Sequence, residues 1–307
     1  MDSDEMMVPD EAMRCGFVAL IGAPNAGKST LINQLVGAKV SIVSRKVQTT
    51  RALVRGIAIK DTAQIIFVDT PGIFTPKRRL ERAMVTSAWG GAGDADAVAL
   101  VLDARKGVDE EAEAIIEGLK NIKQDAFLIL NKVDLVERPS LLKLAEDVNA
   151  RFPFKETFMV SALTGSGVPK VLERFAALMP MSHWLYPEDQ VSDAPLRMLA
   201  SEITREKLFE RLHDELPYRS TVETDQWQER KDGSVRIEQT IFVERETQRM
   251  IVLGKGGQQI RTIGELARKE IGLEIEKPVH LFLHVKVREN WSDDPARYRE
   301  MGLEFPK

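Results

Sequence analysis

The stretch Gly22-Ala23-Pro24-Asn25-Ala26-Gly27-Lys28-Ser29 limits what this chain can fold into more than any other segment. Its form, G-x-x-x-x-G-K-S, is that of a phosphate-cradling loop. An apolar run from Phe17 to Ile21 reads as a buried strand before it, and Thr30 to Leu35 has the apolar spacing of a helix after it. Glycines let the backbone turn tightly, so successive N–H groups face phosphate oxygens. The start of the helix adds partial positive charge at the same place. The candidate phosphate-binding residues are Asn25, Ala26, Gly27, Lys28, Ser29 and Thr30. Lys28 would reach the β- and γ-phosphates, and the Ser29 hydroxyl would sit on Mg2+. Alone, this segment does not choose between ATP and GTP, and an ordinary turn between strand and helix is the plain alternative.

Three later segments choose the nucleotide. Asp69-Thr70-Pro71-Gly72 follows the apolar run Ile65 to Val68, so a carboxylate at a strand end can hold Mg2+ through water while the Gly72 N–H approaches the γ-phosphate. Asn131-Lys132-Val133-Asp134 follows Ala126 to Leu130. There Asp134 can accept hydrogen bonds from N1–H and the exocyclic amine of guanine, a pair adenine does not offer, and such polar pairing rejects the wrong base strongly. The Lys132 stem can lie across the base, and Asn131 can tie its loop to the phosphate loop. Ser161-Ala162-Leu163 follows Thr157 to Val160 and offers backbone N–H groups to guanine O6. Each segment alone reads equally well as a turn or a cap. Together, in order and each at the carboxyl end of a predicted strand, they describe the ligand edge of an open α/β sheet.

These segments resemble the translation-factor-related P-loop GTPases. The resemblance implies a switch I between residues 42 and 51, with Thr50 favoured as the contact to Mg2+ and the γ-phosphate and Thr49 as runner-up. The metal set is then Ser29, Thr50 and Asp69, and the catalytic set is Lys28, Thr50 and Gly72. Where signalling GTPases carry a water-orienting glutamine, this chain has Ile73, so slow intrinsic hydrolysis is expected. In related GTPases an asparagine at the position of Asn25 helps to hold K+, which implies K+ stimulation; stabilising the loop is its other reading. No general base is nominated, because positioning and charge stabilisation carry this chemistry.

At 307 residues the chain exceeds the size at which single cores stop growing, so two folding units are expected. One cysteine, Cys15, excludes an internal disulfide framework and suits a reducing compartment. The acidic first residues do not read as a signal peptide, and no apolar stretch approaches membrane-spanning length. A net charge of −4 argues against wholesale nucleic-acid binding but leaves room for a local basic patch. Four histidines form no metal spacing with the lone cysteine.

Residues 181–195 hold prolines and polar residues and read as a linker, with Trp184 and Tyr186 packing on one domain. Beyond it the periodicity predicts a helix from Leu196, an extended Tyr218 to Trp227, and alternating strands around Val235–Val243 and Val279–Val287. Lys231 to Ser234 supplies a hairpin turn. Between the last two strands lies Gly254-Lys255-Gly256-Gly257, the G-x-x-G of a KH RNA-binding loop, which clamps single-stranded backbone. Five basic residues against one acidic residue between Arg249 and Lys269 give that region +4. Gly254, Lys255, Gly256, Gly257 and Arg261 are the candidate RNA contacts.

The pairing of these two halves resembles the Era family. Ser44-Arg45-Lys46, Gln48-Thr49-Thr50-Arg51, Ala200-Ser201-Glu202-Ile203, Arg205-Glu206-Lys207-Leu208, Glu215-Leu216-Pro217-Tyr218, Pro278-Val279-His280-Leu281 and Trp291 carry the likeness. It implies an α/β P-loop GTPase domain over 14–180, with a mostly parallel sheet flanked by helices, a linker over 181–195, an α+β type II KH domain over 196–290 and a tail over 291–307. It also implies GTP and GDP as substrate and product, Mg2+, and a bacterial ribosome-assembly role on 16S rRNA and the 30S subunit. The protein would be cytoplasmic and monomeric, with weak peripheral contact to the inner membrane, for which the sequence holds no anchor. An RNA-modification GTPase and a nucleotide-stabilised RNA-binding module without turnover are the alternatives. Glycines at 90, 91 and 93, after Trp89, disfavour helix in the region following the D-T-P-G segment.

Overall fold

The computed structural model describes residues 12–44, 46, 49–213, 216–289 and 291–306. Arg45, Val47 and Gln48 of the expected switch I, and Glu215, lie outside them. The chain divides into two compact units: one runs up to Val40 and adds Thr50–Pro76 and Met84–Asp193, and the other comprises Ser41–Thr49, Lys77–Ala83 and Ala194–Lys307.

In the first unit, β1 (Arg14–Ile21), β2 (Val54–Lys60), β3 (Ala63–Asp69), β4 (Ala97–Asp103), β5 (Asp125–Asn131) and β6 (Thr157–Val160) form one sheet in the order β2-β3-β1-β4-β5-β6. Only β2 runs antiparallel. The unbroken apolar runs of β1, β3, β4 and β5 are buried because helices cover both faces. One face packs α1 (Lys28–Val36) and α5 (Val168–Leu178) through Leu31, Ile32, Val171 and Phe175. The other packs α2 (Arg79–Asp94), α3 (Glu110–Leu119) and α4 (Arg138–Arg151) through Ala88, Ala92, Ile115, Ile116 and Val148. Parallel strands bring the ends of β1, β3, β4, β5 and β6 to one edge, where all the expected nucleotide segments lie.

The glycines near Trp89 do not break α2, contrary to the expectation from propensity. Ala88 and Ala92 are fully buried on the sheet, and a Cβ at Gly91 would come within 3.3 Å of Leu53. Small residues let this helix approach closely, and that packing outweighs the roughly 1 kcal/mol that each glycine costs a helix.

Most of the expected linker is clasped onto the first unit. The buried amide of Gln64 donates to Tyr186 O at 2.8 Å and accepts from the Leu185 and Tyr186 amides at 2.8 and 3.0 Å. Beyond that clasp, Ile57 N donates to Val191 O at 2.9 Å, and Ser192 pairs with Gly56 along the outer edge of β2.

In the second unit the order is α6 (Leu196–Arg211), β7 (Ser220–Glu229), β8 (Val235–Val243), α7 (Glu246–Leu253), α8 (Gln258–Glu274), β9 (Val279–Val287) and a short α9 (Pro295–Glu300). The sheet order is β7-β8-β9, with β7 and β8 antiparallel and β8 and β9 parallel. Val235, Ile237, Ile241 and Val243 alternate inward against Ile263, Ala267 and Ile271 of α8, all fully buried. On α6, Arg205, Glu206 and Lys207 are buried although the sequence reads there as a charged helix. Lys207 pairs with Glu270 at 2.6 Å and Glu206 at 3.2 Å, and carboxylates on both sides hold its ammonium in the charged form. Glu206 accepts from the Val43 amide at 2.6 Å, and Arg205 donates to the Thr49 carbonyl.

Candidate nucleotide site and RNA-binding loop

The loop between β1 and α1 turns through Gly27, whose φ of 100° suits glycine. A Cβ there would stand 2.2 Å from Asn131 Nδ2, so any larger residue would break the tie between the two loops. Gly72 is held equally close: its Cβ would meet Pro24 at 2.9–3.0 Å, and the Ile73 amide donates to Gly22 O at 3.1 Å. Ile73 itself is buried in the core face shared with Ala19 and Ile21, so its side chain packs rather than faces water. Lys28 is 6 % exposed and its ammonium donates to Gly22 O at 2.9 Å and Ala23 O at 3.1 Å. Thr30 follows on the first turn of α1.

Three side-chain oxygens converge beside Lys28. Ser29 Oγ donates to Asp69 Oδ2 at 2.7 Å, Thr50 Oγ1 donates to the same oxygen at 3.2 Å, and the two hydroxyls are 2.9 Å apart. Thr49 turns away, donating to Lys46 O at 2.9 Å. One carboxylate and two hydroxyls form the hard oxygen set that Mg2+ prefers, and phosphate and water would supply its further ligands. The donor chemistry fits the metal.

At the other end, Asn131 Nδ2 donates to Ala26 O at 2.8 Å, and its Oδ1 accepts from the Lys132 and Ala162 amides at 2.8 and 2.9 Å. One side chain thus joins the three expected segments. Lys132 Nζ donates to Asn25 O at 2.6 Å. Asp134 is exposed, on a 3-10 turn spanning Val133–Leu135. The Ser161 and Ala162 amides are engaged, by Ser166 O and Asn131, and Leu163 stands exposed beside them.

In the second unit, Gly254, Gly256 and Gly257 all have positive φ (71°, 59° and 74°), a loop that L side chains would strain. Gly257 starts α8 without a side-chain cap, which leaves the first amides of a long helix for an anion. Lys255 and Arg261 are exposed beside it. Ile263 points into the core and not outward.

Residues 17–132 match the family described as 50S ribosome-binding GTPase, and residues 215–292 match the KH domain. GTPase Era of Bradyrhizobium diazoefficiens is 67% identical over 296 residues, which is 96% of each chain. The chain belongs to the Era family of GTPases. A variant of Aquifex aeolicus Era bound to GDP·AlF4− and an Era in complex with MgGDPNP and nucleotides 1506–1542 of 16S ribosomal RNA are each 36% identical. Both superpose with a TM-score of 0.90 over 94% of this chain and 99% of theirs.

In this Era-family chain, burial pushes the Lys28 ammonium down to about 8, with Asp69 and Glu111 opposing the shift. If Lys28 meets the phosphates as the sequence predicts, a polyphosphate would favour the charged ammonium and raise its pKa again. Nucleotide binding between pH 8 and 10 is therefore expected to take up a proton, and affinity should fall as pH rises through 8. Calorimetry at pH 8.5 in two buffers of different ionisation enthalpy checks this; equal apparent enthalpies would exclude it. For folding alone, the depressed pKa is a cost present in full below pH 8. That cost fades towards 10.5, since only the unfolded chain still binds the proton there.

One residue of this site is not legible from sequence. Asp103, at the end of β4, pairs through Oδ2 with Lys132 at 2.7 Å and with Arg105 at 2.7 Å. Burial would raise its carboxyl, but the hydrogen bonds from Arg105 and Lys132 win and hold it at about 2. No motif in Asp103-Ala104-Arg105-Lys106 marks it.

Proposed function

We propose that this chain is a GTP-driven switch that binds 16S ribosomal RNA through Gly254–Gly257 and assists assembly of the 30S subunit. GTP binding and hydrolysis follow from its family. The convergence of Ser29, Thr50 and Asp69 beside Lys28 carries the nucleotide part of the reading. Its RNA part is supported by the open glycine loop and by an Era of the same fold bound to MgGDPNP and a 16S fragment.

In this reading the amides of residues 25–30 cradle the phosphates, Lys28 faces the charge that develops on the β–γ bridge, and Gly72 offers its amide to the γ-phosphate. Ser29 and Thr50 would hold Mg2+ directly and Asp69 through water; the ion, when bound, neutralises phosphate charge. Asp134 reads N1–H and the amine of guanine, the Lys132 stem covers the base, and Ala162 and Leu163 lie towards O6. Asn25, in a left-handed turn at φ 64°, would help to hold K+ against the phosphates. We keep 14–180 and 196–290 as the domain limits, and a cytoplasmic monomer as the working form.

Switching needs a link between nucleotide and RNA units. Thr50 lies in the first unit, while Thr49, its chain neighbour, groups with the second, where Arg205 holds its carbonyl. Ordering of Thr50 by the γ-phosphate therefore pulls on a segment seated among the charges of α6. The test is binding of labelled 3′-terminal 16S fragment with GDPNP, GDP or no nucleotide at one fixed salt concentration. RNA affinity should differ between nucleotide states, and by linkage RNA should shift nucleotide affinity by the same factor. Gly256→Asp places a carboxylate where phosphate should approach, and is expected to weaken RNA binding at least about tenfold without changing GTP affinity. Unaltered RNA binding in that variant would remove the loop from the interface.

A further inference from the structure

We propose that Asp103 is a positioning residue for guanine-nucleotide binding, clamping the Lys132 ammonium against the carbonyl of Asn25 and so holding the base loop and the phosphate loop in one arrangement. The proposal rests on the reading of Lys132 as the residue whose stem covers the base.

Topology puts the carboxylate there. β4 and β5 are parallel and in register, so Asp103 stands level with Asn131, and the Ala104 amide donates to Asn131 O at 2.9 Å. The next residue, Lys132, then reaches Asp103 Oδ2 at 2.7 Å and Asn25 O at 2.6 Å with one ammonium. Asn25 and Lys132 both lie at positive φ, 64° and 65°, where side chains other than glycine persist only when neighbours hold them. The Asp103–Lys132–Asn25 chain supplies that hold at both strained residues at once. Arg105 fixes the carboxylate from the other side, through its amide and Nε at 3.1 Å to Oδ1 and Nη2 at 2.7 Å to Oδ2. With the Asp103 side chain only 4 % exposed, its charge is shielded little by solvent and acts on its two partners. A guanine over the Lys132 stem then meets a side chain whose far end is already tethered, so little rotamer freedom remains to be lost on binding.

The test is the dissociation rate of fluorescent GDP and of a fluorescent non-hydrolysable GTP analogue from the full chain. Asp103→Asn keeps the size of the side chain but removes its charge. It should speed release of both nucleotides by about tenfold and by the same factor, because the clamp acts at the base and at the shared part of the phosphate loop. Asp103→Glu should recover most of the loss. Lys132→Met should speed release at least as much, and adding Asp103→Asn to it should change nothing further, since the carboxylate would then have lost the group it acts through. Thermal unfolding confirms that each variant is folded. Unchanged release from Asp103→Asn, or independent and additive effects of the two substitutions, would overturn the clamp. An effect of Lys132→Met without one of Asp103→Asn leaves the base reading standing and removes the clamp alone. No effect of Lys132→Met removes both.

Discussion

Replacing Asp134 by Asn is expected to lower affinity for GTP by about a thousandfold and to let xanthosine triphosphate bind instead. In the proposed reading the carboxylate would accept two hydrogen bonds, from N1–H and from the exocyclic amine of guanine. In the amide, one oxygen becomes an NH2 group that points a donor at a donor, so a polar contact is both lost and opposed. Xanthine carries a carbonyl where guanine carries the amine, and that oxygen accepts from the new NH2. Sites built on hydrogen bonds discriminate by about 10⁴–10⁵ when the pairing is fully buried. Asp134 sits on an exposed turn in the free protein, so the smaller factor applies. Competition of GTP and xanthosine triphosphate against a fluorescent nucleotide measures it; retained GTP selectivity would remove Asp134 from the base site.

The second large effect separates two neighbouring residues. Thr50→Ala is expected to slow GTP hydrolysis by about 10²–10³, the usual loss on removing one group that faces developing charge. Thr49→Ala should change it less than about threefold. The difference follows from where the hydroxyls go: Thr50 Oγ1 lies 2.9 Å from Ser29 Oγ and 3.2 Å from Asp69 Oδ2, while Thr49 Oγ1 bonds to Lys46 O at 2.9 Å. Single-turnover phosphate release at saturating GTP and Mg2+ gives the comparison. The reverse ranking would assign the switch contact to Thr49.

That pair also marks where sequence reasoning stops. The strands of the first unit are legible because runs such as Ile65–Val68 and Ala126–Leu130 are apolar on both faces, as a sheet covered on both sides demands. Their ends then carry Asp69 and Asn131 to one edge with no further information. Thr49 and Thr50 sit on a loop, where no periodicity orients a side chain, and only a carboxylate 19 residues away tells them apart. Asp103 was hidden for a similar reason: its meaning lies in being level with Asn131 across the sheet, a relation absent from its own neighbours in sequence. Arg205, Glu206 and Lys207 look like a solvated helix face, yet they are buried: Glu202 pairs with Arg205 from the same helix, but Glu270, the Thr49 carbonyl and the Val43 amide, which engage Lys207, Arg205 and Glu206, come from distant parts of the chain. In α2 the failure runs the other way. Glycine propensity is a local property of about 1 kcal/mol per residue, and burial of Ala88 and Ala92 overrides it.

The pairing of Val191 and Ser192 with β2 protects the molecule from itself. β2 is the last strand on its side of the sheet, and an uncovered strand offers a row of amides and carbonyls on which another chain can build. Ile57 and Gly56 are instead engaged by Val191 and Ser192, and Trp184 and Tyr186 shield the apolar cluster of Cys15, Ile57 and Ile66 beneath. A stretch that looks like a tether between two working parts is thus also a guard against self-association. Trimming the first unit back to Pro180 would strip that guard while leaving every candidate nucleotide-binding residue in place.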